Sequence, residues 1–143
     1  MSRTHYSVTV DIAAPPGRVW SVMVDAERWP EWTASVTSVA RLDQGPLRVG
    51  SRARIRQPRV PPAEWRVTEL TEGRSFTWVT GTALARATAR HEVESIPAGT
   101  RATLSIRYSG LLGGVVGRLT RGLNDRYLAL EAAGLKARSE GRA

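Results

Sequence analysis

Between residues 33 and 109 the sequence repeats one pattern, and that pattern leaves few folds open. Short runs alternate apolar and polar residues, broken by turns rich in glycine and proline. Such alternation puts one set of side chains on each face of a half-buried strand. Ser51 to Gln57 shows it plainly: Ser51, Ala53, Ile55 and Gln57 share one face, Arg52, Arg54 and Arg56 the other. The arginine face reads as the solvent side of an antiparallel sheet. Strands are predicted over 33–43, 51–57, 64–71, 74–80, 84–96 and 100–109. Gln44-Gly45-Pro46, the proline-rich loop 58–62, Glu72-Gly73 and Pro97-Ala98-Gly99 mark turns between them. A further strand precedes them, with Tyr6, Val8, Val10 and Ile12 opposed to Ser7, Thr9 and Asp11.

Helices sit only at the two ends of this run. Pro15-Pro16 stops the first strand and suits the first turn of a helix. Val19, Val22 and Met23 then recur at helical spacing over 16–25, and Pro30 bounds that helix or a second short one. Gly110 to Gly114 reads as a flexible junction. After it, Val115, Leu119, Leu123, Tyr127, Leu130 and Gly134 step by three or four along one helix face. Some 20 helical residues span about 30 Å, the long dimension of a small sheet. Runs of strands with segregated helices make an α+β fold. The expectation is a curved antiparallel seven-stranded sheet around a long C-terminal helix, with two short helices after the first strand. Residues 1–143 form one domain on this reading, with the tail after about 138 disordered.

The net charge of +8 raises nucleic acid or anionic membranes as partners. All but Lys136 of the 21 basic residues are arginine, and they are spread along the chain. A solvated basic surface accounts for that better than a nucleic-acid interface. Cysteine is absent, which excludes disulfides, thiolate metal sites and cysteine nucleophiles. His5 and His91, the two histidines, lie far apart and make no zinc pattern. Gly113-Gly114-Val115-Val116-Gly117 lacks the ending of a phosphate loop, and no hydrolase elbow is present. No cofactor and no metal are expected. No apolar run approaches a membrane span and no signal pattern opens the chain, so a cytoplasmic protein is expected.

Several pieces together point to a family. Val10-Asp11-Ile12-Ala13-Ala14-Pro15 leads to Val19-Trp20, and Asp25 leads through Trp29-Pro30-Glu31-Trp32 to Val36 and Val39. Gly50 opens a strand, Trp65-Arg66-Val67-Thr68-Glu69-Leu70 forms the next, and Phe76 with Trp78 completes the set. The chain resembles the START-like (SRPBCC) superfamily, specifically its polyketide cyclase/dehydrase and lipid-transport group. The resemblance implies a helix-grip fold with a cavity between sheet and C-terminal helix. Members bind lipids, quinones, polyketides, sterols or hormones, and a minority catalyse cyclisation or aromatisation. It brings no catalytic motif and marks Trp20, Trp29 and Trp32 as packing residues.

Alternation then suggests what lines the cavity. Ala87, Ala89, His91 and Val93 share a face, and small side chains on a concave face leave volume to be filled. The expected pocket comprises Ile55, Trp65, Trp78, Ala87, Ala89, His91, Leu104, Ile106 and Tyr108 from the sheet, with Leu119, Leu123 and Tyr127 from the helix. Loops 58–62, 80–83 and 110–114 fall at one end of the sheet, so Pro61, Leu111 and Leu112 are expected at its mouth. His91 and the two phenols could hydrogen-bond a ligand. A ring-closing enzyme would need such groups to converge, and no inward carboxylate is evident, since Glu69, Glu92 and Glu94 fall outward. Three functions follow: binding or carrying a hydrophobic molecule, a polyketide cyclase/aromatase, and an RNA- or membrane-associated module using the basic surface. The first fits best.

Overall fold

The computed structural model describes residues 4–141. Strand β1 (His5–Ile12) is followed by helix α1 (Pro16–Val24), a 3₁₀ turn (Ala26–Glu31) and the short strand β2 (Ser38–Arg41). Strands β3 (Arg52–Arg56), β4 (Ala63–Thr71), β5 (Ser75–Gly81), β6 (Arg86–Ile96) and β7 (Gly99–Ser109) form consecutive hairpins. All pair antiparallel in one sheet of order β1-β7-β6-β5-β4-β3-β2. Helices α2 (Gly113–Leu119) and α3 (Arg121–Ser139) close the chain.

The alternation seen in the sequence sets the two faces. Ala53 and Ile55 are buried while Arg52, Arg54 and Arg56 are exposed. Arg52 forms an ion pair with Glu64 at 3.2 Å. Glu69 stays on the outer face with Arg90 at 3.4 Å, although the register shifts between Val67 and Glu69. A bulge of that kind adds local twist to the strand. Tyr6, Phe76, Trp78, His91, Ala102 and Leu104 are buried on the inner face. Against this face lie α1, the 3₁₀ turn and α3. Trp29 donates from Nε1 to the Met23 carbonyl at 3.0 Å, and its ring packs against Trp78 at 5.4 Å.

Three expectations need correction. The strand over 33–43 shortens to Ser38–Arg41, because Thr33 and Ser35 turn their hydroxyls inward to bond each other at 2.8 Å. The strand over 84–96 begins at Arg86, leaving Leu84 in an exposed loop. Glycine is required at Gly110, where φ is 94 and a side chain would meet the carbonyl oxygens of Ala83 and Leu84 at 2.6 and 2.7 Å. The C-terminal helix is two helices. They meet at Thr120, whose hydroxyl donates back to the Val116 carbonyl at 2.7 Å. That break rotates the buried stripe. Asn124, Leu128, Ala132, Leu135 and Ser139 are buried, while Val115 and Leu119 face solvent.

The end of α3 is tied down rather than frayed after 138. Arg18 donates to the carbonyls of Ser139 and Arg138. The backbone N–H of Ala13 donates to Glu140 at 2.7 Å, and Lys136 Nζ donates to the Asp11 carbonyl at 2.9 Å. Residues 142 and 143 of the expected tail lie outside the described residues. Midway, α3 crosses the 3₁₀ turn so closely that Gly134 leaves no room for a side chain. A Cβ there would sit 2.9 Å from the carbonyl carbon of Trp32 and from its ring Cε3.

Candidate functional site

A cavity of about 260 Å³ lies between the inner face of the sheet, the α2–α3 junction and the Trp29 turn. The sheet supplies Ile55, Trp65, Trp78, Ala87, Ala89, His91, Leu104, Ile106 and Tyr108 to its wall. From the helix come Leu123 and Tyr127, and Pro61 stands at its edge in the loop before β4. Alternation in the sequence points to the same sheet residues. Ala87 and Ala89 matter through what they lack, since larger side chains on β6 would occupy the space.

Three expected residues fall elsewhere. Leu119 is 81% exposed and lies outside the cavity. Counting along the helix from Val115 turns it inward, but the break at Thr120 changes the phase. Leu111 and Leu112 are 88% and 46% exposed and do not line the cavity. Their backbone does join the expected end, since the Leu112 N–H donates to Leu84 O at 2.8 Å. Their side chains point away because α2 starts at Gly113 and turns Val116 and Thr120 to the cavity instead.

Three polar regions of the cavity wall involve the C-terminal helices, and Thr80, His91 and Ser105 add polar groups from the sheet. At the helix break, Tyr108 OH donates to Asn124 Oδ1 at 2.9 Å, and Asn124 Nδ2 donates to Thr120 Oγ1 at 3.0 Å. These groups satisfy one another. At the edge, Tyr127 OH donates to the Pro58 carbonyl and ties α3 to the 58–62 loop. The third region centres on Glu131, one turn beyond Tyr127. Its Oε2 accepts from Ser35 Oγ at 2.9 Å, and Ser35 Oγ is bonded to Thr33 Oγ1. Gln57 Nε2 donates to the Ser35 carbonyl at 3.2 Å and lines the same corner. Burial pushes the Glu131 carboxyl up to about 7, partly opposed by the bond from Ser35. The residue keeps some accessible surface, and it lines the cavity.

Sequence reasoning misses Glu131. On strands, period two shows the face of a carboxylate directly. On α3 the face depends on helix phase: Leu123 and Tyr127 of the expected stripe line the cavity, but the stripe steps on to Leu130, which is exposed, and passes over Glu131. Trp29 and Val36 also line the cavity, where the sequence suggests only packing and strand residues.

His91 is buried on β6 in a cage of rings. It stacks on Phe76 at 4.2 Å with 6° between planes, and Trp29 and Trp78 stand at 5.5 and 5.9 Å. Burial holds its imidazole down to about 4, with the Phe76 backbone pulling weakly the other way. The ring is therefore neutral near pH 7, and its Nδ1 has no hydrogen-bond partner. His91, Tyr108 and Tyr127 share no hydrogen bond with each other: both phenols bond to other protein groups.

Among the described residues, no group of three or more His, Cys, Asp or Glu side chains could hold a metal. No helix among them is long and apolar enough to cross a membrane.

Residues 3–140 match the family described as polyketide cyclase / dehydrase and lipid transport. No curated protein matches the sequence significantly. Among solved structures, the chain is similar to the Zhui aromatase/cyclase from Streptomyces sp. R1128 (17% identity, TM-score 0.78, 99% of this chain and 96% of that one). It is also similar to TTHA0849 from Thermus thermophilus (19%, 0.74, 94% and 96%). The di-domain aromatase/cyclase StfQ of the steffimycin biosynthetic pathway matches at 12% identity and a TM-score of 0.76. There 97% of this chain covers 51% of that one. At these identities the likeness is one of fold.

Proposed function

Since the chain belongs to the polyketide cyclase/dehydrase and lipid-transport family, we propose that it binds or carries a hydrophobic small molecule in the cavity between sheet and α3. The observation that carries this reading is the cavity itself, left by Ala87 and Ala89 among walls of Trp29, Trp65, Trp78 and Leu104. An apolar cavity of ~150 Å³ holds one benzene. About 260 Å³ therefore suits a body of two fused rings or a short branched chain. Longer ligands would extend past Pro61. Thermal shift across lipids, quinones and aromatic polyketides tests the reading. A stabilising ligand class is expected, and Ala89→Phe, which puts a phenyl ring into the cavity, should abolish its effect. No shift with any class would count against a ligand site.

A second reading, a cyclase or aromatase, gains support from Glu131, a cavity carboxyl able to act as an acid near pH 7. Turnover of a polyketide-like substrate, lost in Glu131→Gln with binding kept, would favour it over carriage.

A further inference from the structure

We propose that Glu131 sets ligand selectivity, favouring an apolar ring system that carries a neutral hydrogen-bond acceptor, such as a ketone or quinone oxygen, over one that carries a carboxylate. The inference rests on the binding reading and adds the chemistry of the ligand's polar end.

The geometry has three parts. Glu131 is the one acidic side chain among the cavity-lining residues, and no arginine or lysine lines the cavity with it. An anionic ligand would enter without a countercharge, which low-dielectric surroundings penalise. Second, Ser35 Oγ donates to Oε2 and fixes the carboxyl in the corner between α3 and the 33–35 segment. Ser35 is the only hydrogen-bond partner of Glu131 among the described residues. Third, the polar groups that α3 brings to the wall are engaged within the protein, while His91 Nδ1 is left without a partner in its ring cage on β6. Tyr108 bonds Asn124, Asn124 bonds Thr120 and Tyr127 bonds Pro58. Gln57 spends one amide N–H on the Ser35 carbonyl. A ligand oxygen set against the Glu131 carboxyl meets a donor only while that carboxyl is protonated, which separates its contribution from the pH-independent amide of Gln57.

Burial raises the Glu131 pKa and keeps it protonated below neutral pH. The titratable groups facing it are few. His91 on β6 stays neutral above its own lowered pKa, and Tyr108 and Tyr127 are held as described. Glu31 of the 3₁₀ turn pairs with Arg138 at 2.6 Å. Thr33 and Ser35 bring no charge.

The test measures dissociation constants for three bicyclic probes, 2-methylnaphthalene, 2-methyl-1,4-naphthoquinone and 2-naphthoate, at pH 5.5 and 8.5. The chain has no cysteine to add to the quinone. In the wild type the quinone should bind about tenfold tighter than the hydrocarbon at pH 5.5, the worth of one good hydrogen bond. That preference should vanish at pH 8.5, and 2-naphthoate should bind weakest at both. Glu131→Gln keeps an amide donor and should keep the quinone preference at both pH values. Glu131→Ala should lose it while still binding the hydrocarbon, which also reports that the variant is folded. The wild-type pH comparison stands alone if a variant fails to fold. Equal binding of quinone and hydrocarbon at pH 5.5, tight binding of 2-naphthoate, or a pH-dependent preference surviving in Glu131→Gln would overturn the proposal. If no probe binds the wild type, the cavity reading itself falls and this inference with it.

Discussion

Replacing His91 by phenylalanine isolates the energetic cost of burying an imidazole in a cage of rings. His91 is 6% exposed and its Nδ1 is unpartnered. Its pKa falls from 6.5 to about 4 on folding. The unfolded chain therefore takes up a proton below pH 6.5 that the folded chain refuses until about pH 4. Stability is full above pH 6.5, falls as the pH drops through the interval and levels off below 4. A difference of about 2.5 units at 1.36 kcal/mol each gives roughly 3 kcal/mol. The assay is urea denaturation of wild type and His91→Phe at half-unit steps from pH 8 to 4. Other groups, such as Asp43, whose carboxyl is held near 2 chiefly by the Arg52 backbone N–H, titrate alike in both proteins and cancel in the difference. Any offset present at every pH reports packing of the larger ring against Phe76. The pH-dependent part alone tests the argument. The variant should gain on the wild type by roughly 3 kcal/mol between pH 7 and 4. A difference that stays constant across that range would refute the buried neutral imidazole.

Two other substitutions probe how the helix grips the sheet. Gly134→Ala should raise intrinsic helix propensity by about 1 kcal/mol. The new Cβ would nevertheless press on the Trp32 backbone, so a net loss of about 1–3 kcal/mol is expected, read as a lowered Tm. An unchanged or higher Tm would mean the helix stands off from Trp32. Tyr108→Phe removes the donor to Asn124 Oδ1 in a part-buried network. It should cost about 1–2 kcal/mol in denaturant unfolding, and a neutral effect would show that the seam at the helix break is not held by this bond.

Strands are legible in the sequence because a period of two needs no long-range information. Ala53 and Ile55 against Arg52, Arg54 and Arg56 can be assigned from five residues, and β6 and β7 likewise from theirs. The cavity's sheet wall follows from the same rule. The C-terminal helix is harder, because its buried stripe is not its most hydrophobic one. Asn124, Ala132 and Ser139 are buried while Leu119 and Leu130 are exposed. Small and polar residues share the inward face with Leu128 and Leu135, while Leu119 and Leu130 are left outside. The break at Thr120 carries no proline or glycine at the junction itself to announce it. Glu131 is hidden because the apolar stripe steps from Tyr127 to Leu130 and so passes over the carboxyl one turn beyond Tyr127.

The most direct test of a filled or fillable cavity is native mass spectrometry of the protein from its own host, with organic extraction of whatever accompanies it. The account predicts an apolar molecule near one per chain, released on denaturation and absent from Ala89→Phe. A clean apo mass, together with no thermal shift across lipids, quinones and aromatic polyketides, would contradict it.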